Sequence, residues 1–419
     1  MVPEGWKVDD FSGVGIAVID GDRGSQYPKA NDFSGDGHCV FLSAKNVTKS
    51  GLKFEDVQFI SEEKHRQLRK GKVCRGNIIL TTRGTVGQFG YFDEAVPYEV
   101  MRINSGMVVL DTSQSELSSE FLYAVCRSRL IEKQIESASF GSAQPALTVK
   151  VIKKIRVPVP PLSEQTKIAQ VLSTWDQAIT ATKRLLENSQ QRKKGLMQKL
   201  LTGKKRLPGF EGVWEAVEFG NLGSTYSGLS GKTKEDFGEG EPFVTYMGVF
   251  SDGAIKPDRF DFVRLSESES QNKVQYGDIL FTTSSETPEE VGMASVLLEN
   301  LPYNLYLNSF CFGFRLHSFE NLVPEYAKYL FRGEDMRRRI STLAQGATRY
   351  NLSKRQLIKL DVLLPGKSEQ AAISDILVAS DMEISAVKHR LLLLQEEKKA
   401  LMQQLLTGKR RVQVDTEAA

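Results

Sequence analysis

Cysteine and histidine are scarce, four of each in 419 residues, and both are scattered. Cys39, Cys74, Cys126 and Cys311 are scattered with no Cys-x-x-Cys pair, and reduced thiols fit this pattern better than a disulfide framework. His38, His65, His317 and His389 lie far apart in the chain, so no zinc-site spacing is present. No apolar run approaches the roughly 18 residues of a membrane-spanning helix. The N-terminus also lacks a basic-then-apolar leader, so the expectation is a cytoplasmic chain with no membrane segment. Strong charge is missing as well. A net charge of +3 permits nucleic-acid binding without arguing for it.

The words of catalysis are equally sparse. The stretch from Ser227, SGLSGKTK, ends in Gly231, Lys232 and Thr233 like a phosphate loop. Tyr226 stands where the first glycine is required, so it reads as a Gly-rich loop. No Asn-Pro-Pro-aromatic word marks an adenine methyltransferase, and no paired Cys/His set marks a metal nuclease. Glu62 and Lys64 resemble a fragment of a nuclease motif but read more simply as a surface pair. The expectation is a chain with no catalytic residues, no metal and no cofactor of its own.

What the chain does have is a long repeat. The stretch Ser163 to Arg206 recurs without a gap as Ser368 to Arg411, and roughly half the positions are identical. Each copy reads as one helix of about 58 Å. Apolar or tolerated positions recur by four and three: Ile168, Leu172, Trp175, Ile179, Thr182, Leu186, Ser189, Lys193, Leu196 and Leu200. The second copy keeps the same register, from Ile373 through Lys398 to Leu405. A shared heptad seam predicts that the two helices pair as an antiparallel coiled coil, with polar seam residues fixing register. Ser163 is placed as the first N-cap, and Gly203 and Gly408 as the stops.

The remainder repeats too. KVCRGNIILTT (Lys72 to Thr82) is answered by KVQYGDILFTT (Lys273 to Thr283), and INSGMVVL by LNSFCFGFRL. GSAQPALT from Gly141 is answered by GATRYNLS from Gly346. CVFLSA (Cys39 to Ala44), NIILTT and GMVVLD read as strands, and the stretch from Ser118 as a helix. The expected fold class is α/β, a tandem duplication of a head followed by a long helix. The expected division is a first head at 1–162, a helix at 163–206, a second head at 207–367, a helix at 368–411 and a disordered tail at 412–419.

With these words in place, the chain resembles the DNA-specificity subunit of Type I restriction–modification enzymes. The residues carrying it are the helices from PLSEQ and GKSEQ to LLTGKKR and LLTGKRR, with the framework words just quoted. It covers nearly the whole chain. One departure is Pro365 to Lys367, PGK in place of PPL, at the start of the second helix. The resemblance implies two target-recognition domains, each reading half of a bipartite site in double-stranded DNA. It implies helices that set the spacer and bind two methyltransferase subunits, with endonuclease/translocase subunits joining them. S-adenosylmethionine, ATP and Mg would then belong to those partners.

Base reading needs Arg, Lys, Asn, Gln, Ser or Thr side chains at loops beside the framework. In the first head the candidates are Lys45, Asn46, Thr82, Arg83, Thr85 and Gln144. In the second they are Tyr246, Thr283, Ser284, Ser285, Arg349, Tyr350 and Lys354. The run Arg337, Arg338, Arg339 reads as a solvated helix face rather than a phosphate clamp. For partner binding, Lys194, Met197, Gln198 and Leu201 recur as Lys399, Met402, Gln403 and Leu406 off the strict seam. Packing against the heads explains some of this, but a shared partner used twice explains it better, because two identical subunits demand two equivalent surfaces. Two rival readings stay open: a DNA-reading enzyme with its own nuclease or methyltransferase activity, and a coiled-coil adaptor without DNA contact.

Overall fold

The computed structural model describes residues 2–139, 146–266 and 268–414. By contacts the chain forms two compact units, one of residues 1–182 with 390–419 and one of residues 183–389. Each unit therefore holds one head together with part of each long helix.

In the first unit the head is built on two sheets. One orders Ala17–Asp20, Met107–Asp111, Ile78–Thr81 and Phe89–Tyr91, all antiparallel. The other orders Phe59–Ile60, Cys39–Leu42, Met101–Ile103 and Lys72–Val73, with the central pair parallel. Continuous apolar runs such as Ile78, Ile79 and Leu80 are buried on both faces, as fully covered strands require. Pro158 in the strand Arg156–Val159 is tolerated because that strand pairs only with Lys7–Asp10. The helix expected from Ser118 is capped by that residue, whose Oγ accepts from Phe121 N at 3.2 Å. It is two helices, Ser119–Cys126 and Arg129–Ser139, because the chain turns at Arg127 and Ser128.

The second unit repeats the plan. Gly223–Ser227, Cys311–Leu316, Ile279–Thr282 and Ala294–Val296 form its antiparallel sheet. Phe237–Val244 pairs antiparallel with Phe260–Val263 and parallel with Tyr306–Leu307. Glu215–Glu218 pairs with Asp361–Leu364, as Lys7–Asp10 does with Arg156–Val159. An added small sheet orders Ser284–Ser285, Tyr350–Leu352 and Ala344–Gln345.

The long helices are Leu162–Leu200 and Lys367–Leu405, each 39 residues. All twenty seam positions are buried or half-buried. Gly203 and Gly408 adopt φ +68° and +69°, and Lys205 N and Arg410 N fold back onto the carbonyls of Lys199 and Gln404. That is the glycine-dependent stop expected of those positions. Ser163 does not cap. It lies inside the first turn, where Glu164 N and Gln165 N both donate to Pro161 O at 3.0 Å. Buried Gln165 fixes this end: its Nε2 donates to the Pro160 and Glu116 carbonyls, and its Oε1 accepts from Ser118 N. Gln370 makes the same three bonds, to Pro365 O, Asn321 O and Val323 N, so the PGK departure leaves the second start unchanged.

Within each unit the helix segments run antiparallel. In the first, buried Glu164 accepts from Arg411 (Nε, 2.7 Å) and Trp6 Nε1 (3.3 Å), and Lys398 meets Asp176. In the second, buried Glu369 accepts from Arg206 (2.6 and 2.7 Å) and Trp214 Nε1 (3.2 Å), and Lys193 meets Asp381. Carboxylates this buried hold only when charged donors meet them.

The cysteines are free, and burial pushes the Cys39 and Cys311 thiols up to about 11 and about 12, away from reactivity. His38 and His65, distant in sequence, bring their rings to 5.5 Å. Among the described residues no cluster could hold a metal ion, and no helix is long and apolar enough to cross a membrane.

Candidate nucleic-acid interface

A shared hydrogen-bond frame supports the candidate loops in both heads. Thr81 N donates to Gln88 O (3.0 Å) while its Oγ1 accepts from Gln88 N (2.9 Å); Thr282 does the same with Met293 (3.0 Å for each bond). Thr82 N donates to Gly106 O at 2.8 Å, and Thr82 O accepts from Leu147 N. Thr283 N donates to Phe310 O at 2.9 Å, and Thr283 O accepts from Leu352 N. Thr82 and Thr283 are thus equivalent, as are Gly106 and Phe310. The loop closed by the first threonine pair spans seven positions in the first head (88 − 81) and eleven in the second (293 − 282).

In the second head this frame gathers the candidates. Ser284 and Ser285 pair with Asn351 and Tyr350. The Tyr246 hydroxyl donates to Ser284 O at 2.7 Å, and its ring stacks on Phe250. Arg349 is exposed, with its guanidinium 6.0 Å from the centre of the Phe310 ring. The side chains of Ser284 and Ser285 are buried, and Ser285 Oγ donates to Glu290 at 3.2 Å, so both support the loop rather than face solvent. Lys354 donates to Ser227 Oγ at 2.8 Å and lies over Phe312; partial burial pushes its ammonium pKa down.

The Arg337 assignment needs correction. Its guanidinium donates to the carbonyls of Glu289, Val291 and Gly292, pinning the long loop from below. Burial lowers its pKa to about 10. Arg338 pairs with Asp335, and Arg339 donates to Asp361 O.

In the first head Arg83 is exposed beside Gly106, and Thr85 is exposed in the same loop. Lys45 is exposed, with only a loose 3.6 Å pair to Asp56. It occupies the position of Met247, because Leu42 and Val244 accept equivalent bonds from Asn104 N and Asn308 N. Two candidates are corrected. Asn46 is 2 % exposed and fully engaged: Oδ1 accepts from Ser43, and Nδ2 donates to Lys53 O and Asp56 O. Thr82 is 2 % exposed, and its Oγ1 donates to Gly106 O at 2.9 Å. Asn46 has no hydrogen-bonding group left for a base, and the buried Thr82 hydroxyl has already spent its proton. Gln144 lies outside the described residues.

The reading from sequence missed Phe310 and Met247, both more than half exposed at the loop edge. Their one signal was alignment: Phe310 replaces a glycine and Met247 replaces Lys45. Elsewhere, Lys64 pairs with Asp32, and Lys232 of the false phosphate loop pairs with Glu269.

The helix residues proposed for partners divide. Lys194, Gln198, Lys399 and Gln403 are exposed, and Met197 and Met402 are half-buried. Leu201 (7 % exposed) and Leu406 (1 %) belong to the cores of their heads and leave the docking face. Met402 lines a groove of about 740 Å³ in the first unit, and Met197 one of about 610 Å³ in the second.

A duplicated head-and-helix fold with unlike loops on a like frame defines a tandem recognition protein. Residues 3–188 match the family described as Type I restriction modification DNA specificity domain. The chain is 26 % identical over 390 residues to the EcoKI specificity subunit of Escherichia coli K12, covering 89 % of this chain and 81 % of that one. It is 23 % identical over 433 residues to the putative MjaX specificity subunit of Methanocaldococcus jannaschii, covering 98 % and 95 %. Its fold matches the solved HsdS subunit of Thermoanaerobacter tengcongensis with a TM-score of 0.53 at 20 % identity, over 98 % of each chain. A chain from a structure of type I R-M complex assembly and conformational transition matches with a TM-score of 0.61 at 19 % identity, over 98 % and 100 %. The family match lies in the first head and the start of the first long helix, and over most of its length the chain is similar to Type I restriction–modification specificity subunits.

Proposed function

We propose that the chain is the sequence-reading subunit of a Type I restriction–modification complex, each head reading one half of a bipartite duplex site. The observation that carries this is the pair of equivalent threonine frames holding loops of different length and chemistry. A fixed frame positions; variable loops specify. The recognition domains are 1–162 and 207–367, and the helices between and after them are 163–206 and 368–411. The helices pair along their shared seam as an antiparallel coiled coil and set the spacer. Arg83, Thr85 and Lys45 in the first head, and Arg349, Tyr350, Thr283, Tyr246 and Lys354 in the second, face DNA. Gln144 is a further candidate in the first head.

Two methyltransferase subunits dock at the two helix ends, against Lys194, Met197 and Gln198 and against Lys399, Met402 and Gln403. A half-buried methionine beside a groove in each unit supports this, since methionine adapts well to a partner surface. Endonuclease/translocase subunits complete the assembly in the cytoplasm. Methyl donor, ATP and Mg act in those partners, and this chain carries out no chemistry itself.

The test is to purify the chain, alone and with its methyltransferase, and assay both for sequence-dependent DNA binding, cleavage and methylation. The proposal expects specific binding by the complex and methylation only when the partner is present. Cleavage or methyl transfer by the chain alone would favour the enzyme reading, and no DNA binding in either form the adaptor.

A further inference from the structure

Phe310 is an anomaly. It is 57 % exposed, whereas Phe312 and Phe314, the next residues to share its alternation, are fully buried. Its backbone is held on both sides: Phe310 N donates to Asn308 Oδ1 at 2.8 Å, and Phe310 O accepts from Thr283 N at 2.9 Å. A large ring is therefore presented to solvent from a rigid turn, which is how a contact residue is pre-organised. The frame does not require it, because the first head has Gly106 at the same position. Arg349 lies over one face of the ring, 6.0 Å from its centre. That geometry orients a guanidinium whose N–H edges remain available.

We propose that Phe310 and Arg349 act as one composite reader of the second half-site: Arg349 takes a guanine edge in the major groove, and the Phe310 ring packs on the C5-methyl group of the adjoining thymine. This deepens, and rests on, the reading of the second head as a DNA-reading domain. Arginine bidentate to guanine O6 and N7, and phenylalanine against the thymine methyl, are geometrically natural pairings. Insertion between base pairs is disfavoured here because an intercalated ring needs both faces free, and Arg349 covers one.

The experiment uses the full chain with its methyltransferase. The half-sites are first located by mapping methylated bases and by binding to mutated duplexes. Each thymine of the second half-site is then replaced in turn by uracil, which deletes the methyl group and preserves base pairing. At one position next to a guanine, wild type should lose about four-fold in affinity, the worth of one buried methyl. Phe310→Ala should bind the thymine duplex at least as weakly and be indifferent to uracil there. Phe310→Leu, which keeps apolar contact, should retain part of the discrimination. First half-site preferences should be unchanged, and circular dichroism should confirm folding. The proposal is overturned by uracil-insensitive wild type, by a half-site lacking such a thymine, or by a Phe310→Ala loss equal on all duplexes. If the wild-type complex showed no sequence preference at all, it is the proposed function that would fail instead.

Discussion

The two heads have the same frame and opposite strategies at its edge. In the first, a short loop presents Arg83 next to Gly106, with polar Lys45 in the corresponding helical turn. In the second, a loop four positions longer is laced into a small sheet and edged by Phe310, Arg349 and Met247. The longer loop has its own anchors, Arg337 on three carbonyls and Ser285 on Glu290. The position matching Arg337 in the first head is Glu132, which makes no such bonds and instead pairs with Arg129. Duplication thus preserved the threonine frame, while each new loop needed its own support.

The largest expected effect tests what the units share. Leu201→Ala and Leu406→Ala should each cost about 2–5 kcal/mol, because both side chains sit in a head core. Denaturant unfolding should show similar losses for the two. Met197→Glu combined with Met402→Glu should instead leave the fold intact and abolish co-purification with the methyltransferase, through buried unpaired charge.

Arg337→Met should break the comparison from the other side. Losing hydrogen bonds from a charged donor should cost about 1.5–3 kcal/mol locally. Amide exchange should accelerate across 284–292 and stay unchanged across 82–88. Binding should weaken through the second half-site alone.

Arg83→Ala and Arg349→Ala should each cost about 1–3 kcal/mol of discrimination at one base pair, in opposite half-sites. Lys45→Ala should weaken all duplexes alike and lower the salt slope by about one.

The smallest effect concerns acid. Burial pushes the Asp381 carboxyl up, but hydrogen bonds from Lys193 and Tyr329, with the Lys328 charge, outweigh it and leave the group below its ordinary 3.8. A folded value below the unfolded one means the network's contribution is complete above about pH 4 and fades as pH falls through the lowered value. Asp381→Asn should flatten that acid limb of the stability profile of the second unit.

Much of this was legible in the sequence because it was written twice. The long helices, their seam, their glycine stops and the strands Ile78–Thr81 and Met107–Asp111 follow from patterns checked against a second copy, and Cys39–Leu42 follows from its apolar run alone. The site was legible only in outline. Asn46 and Thr82 are polar residues at loop edges, like true readers, yet they spend their hydrogen bonds on nearby backbone. Residue type does not reveal whether a side chain turns inward. Arg337 reads as a surface charge until the carbonyls of a loop more than forty residues away close on it. Phe310 reads as core because neighbouring phenylalanines are core.

The central claim is that each head specifies its own half of the site. The direct measurement exchanges residues 1–159 for the first head of another family member, reconstitutes the complex with its methyltransferase, and maps the methylated bases. The account predicts that one half of the bipartite sequence changes and the other half stays as it was. A change in both halves, or in neither, would contradict it.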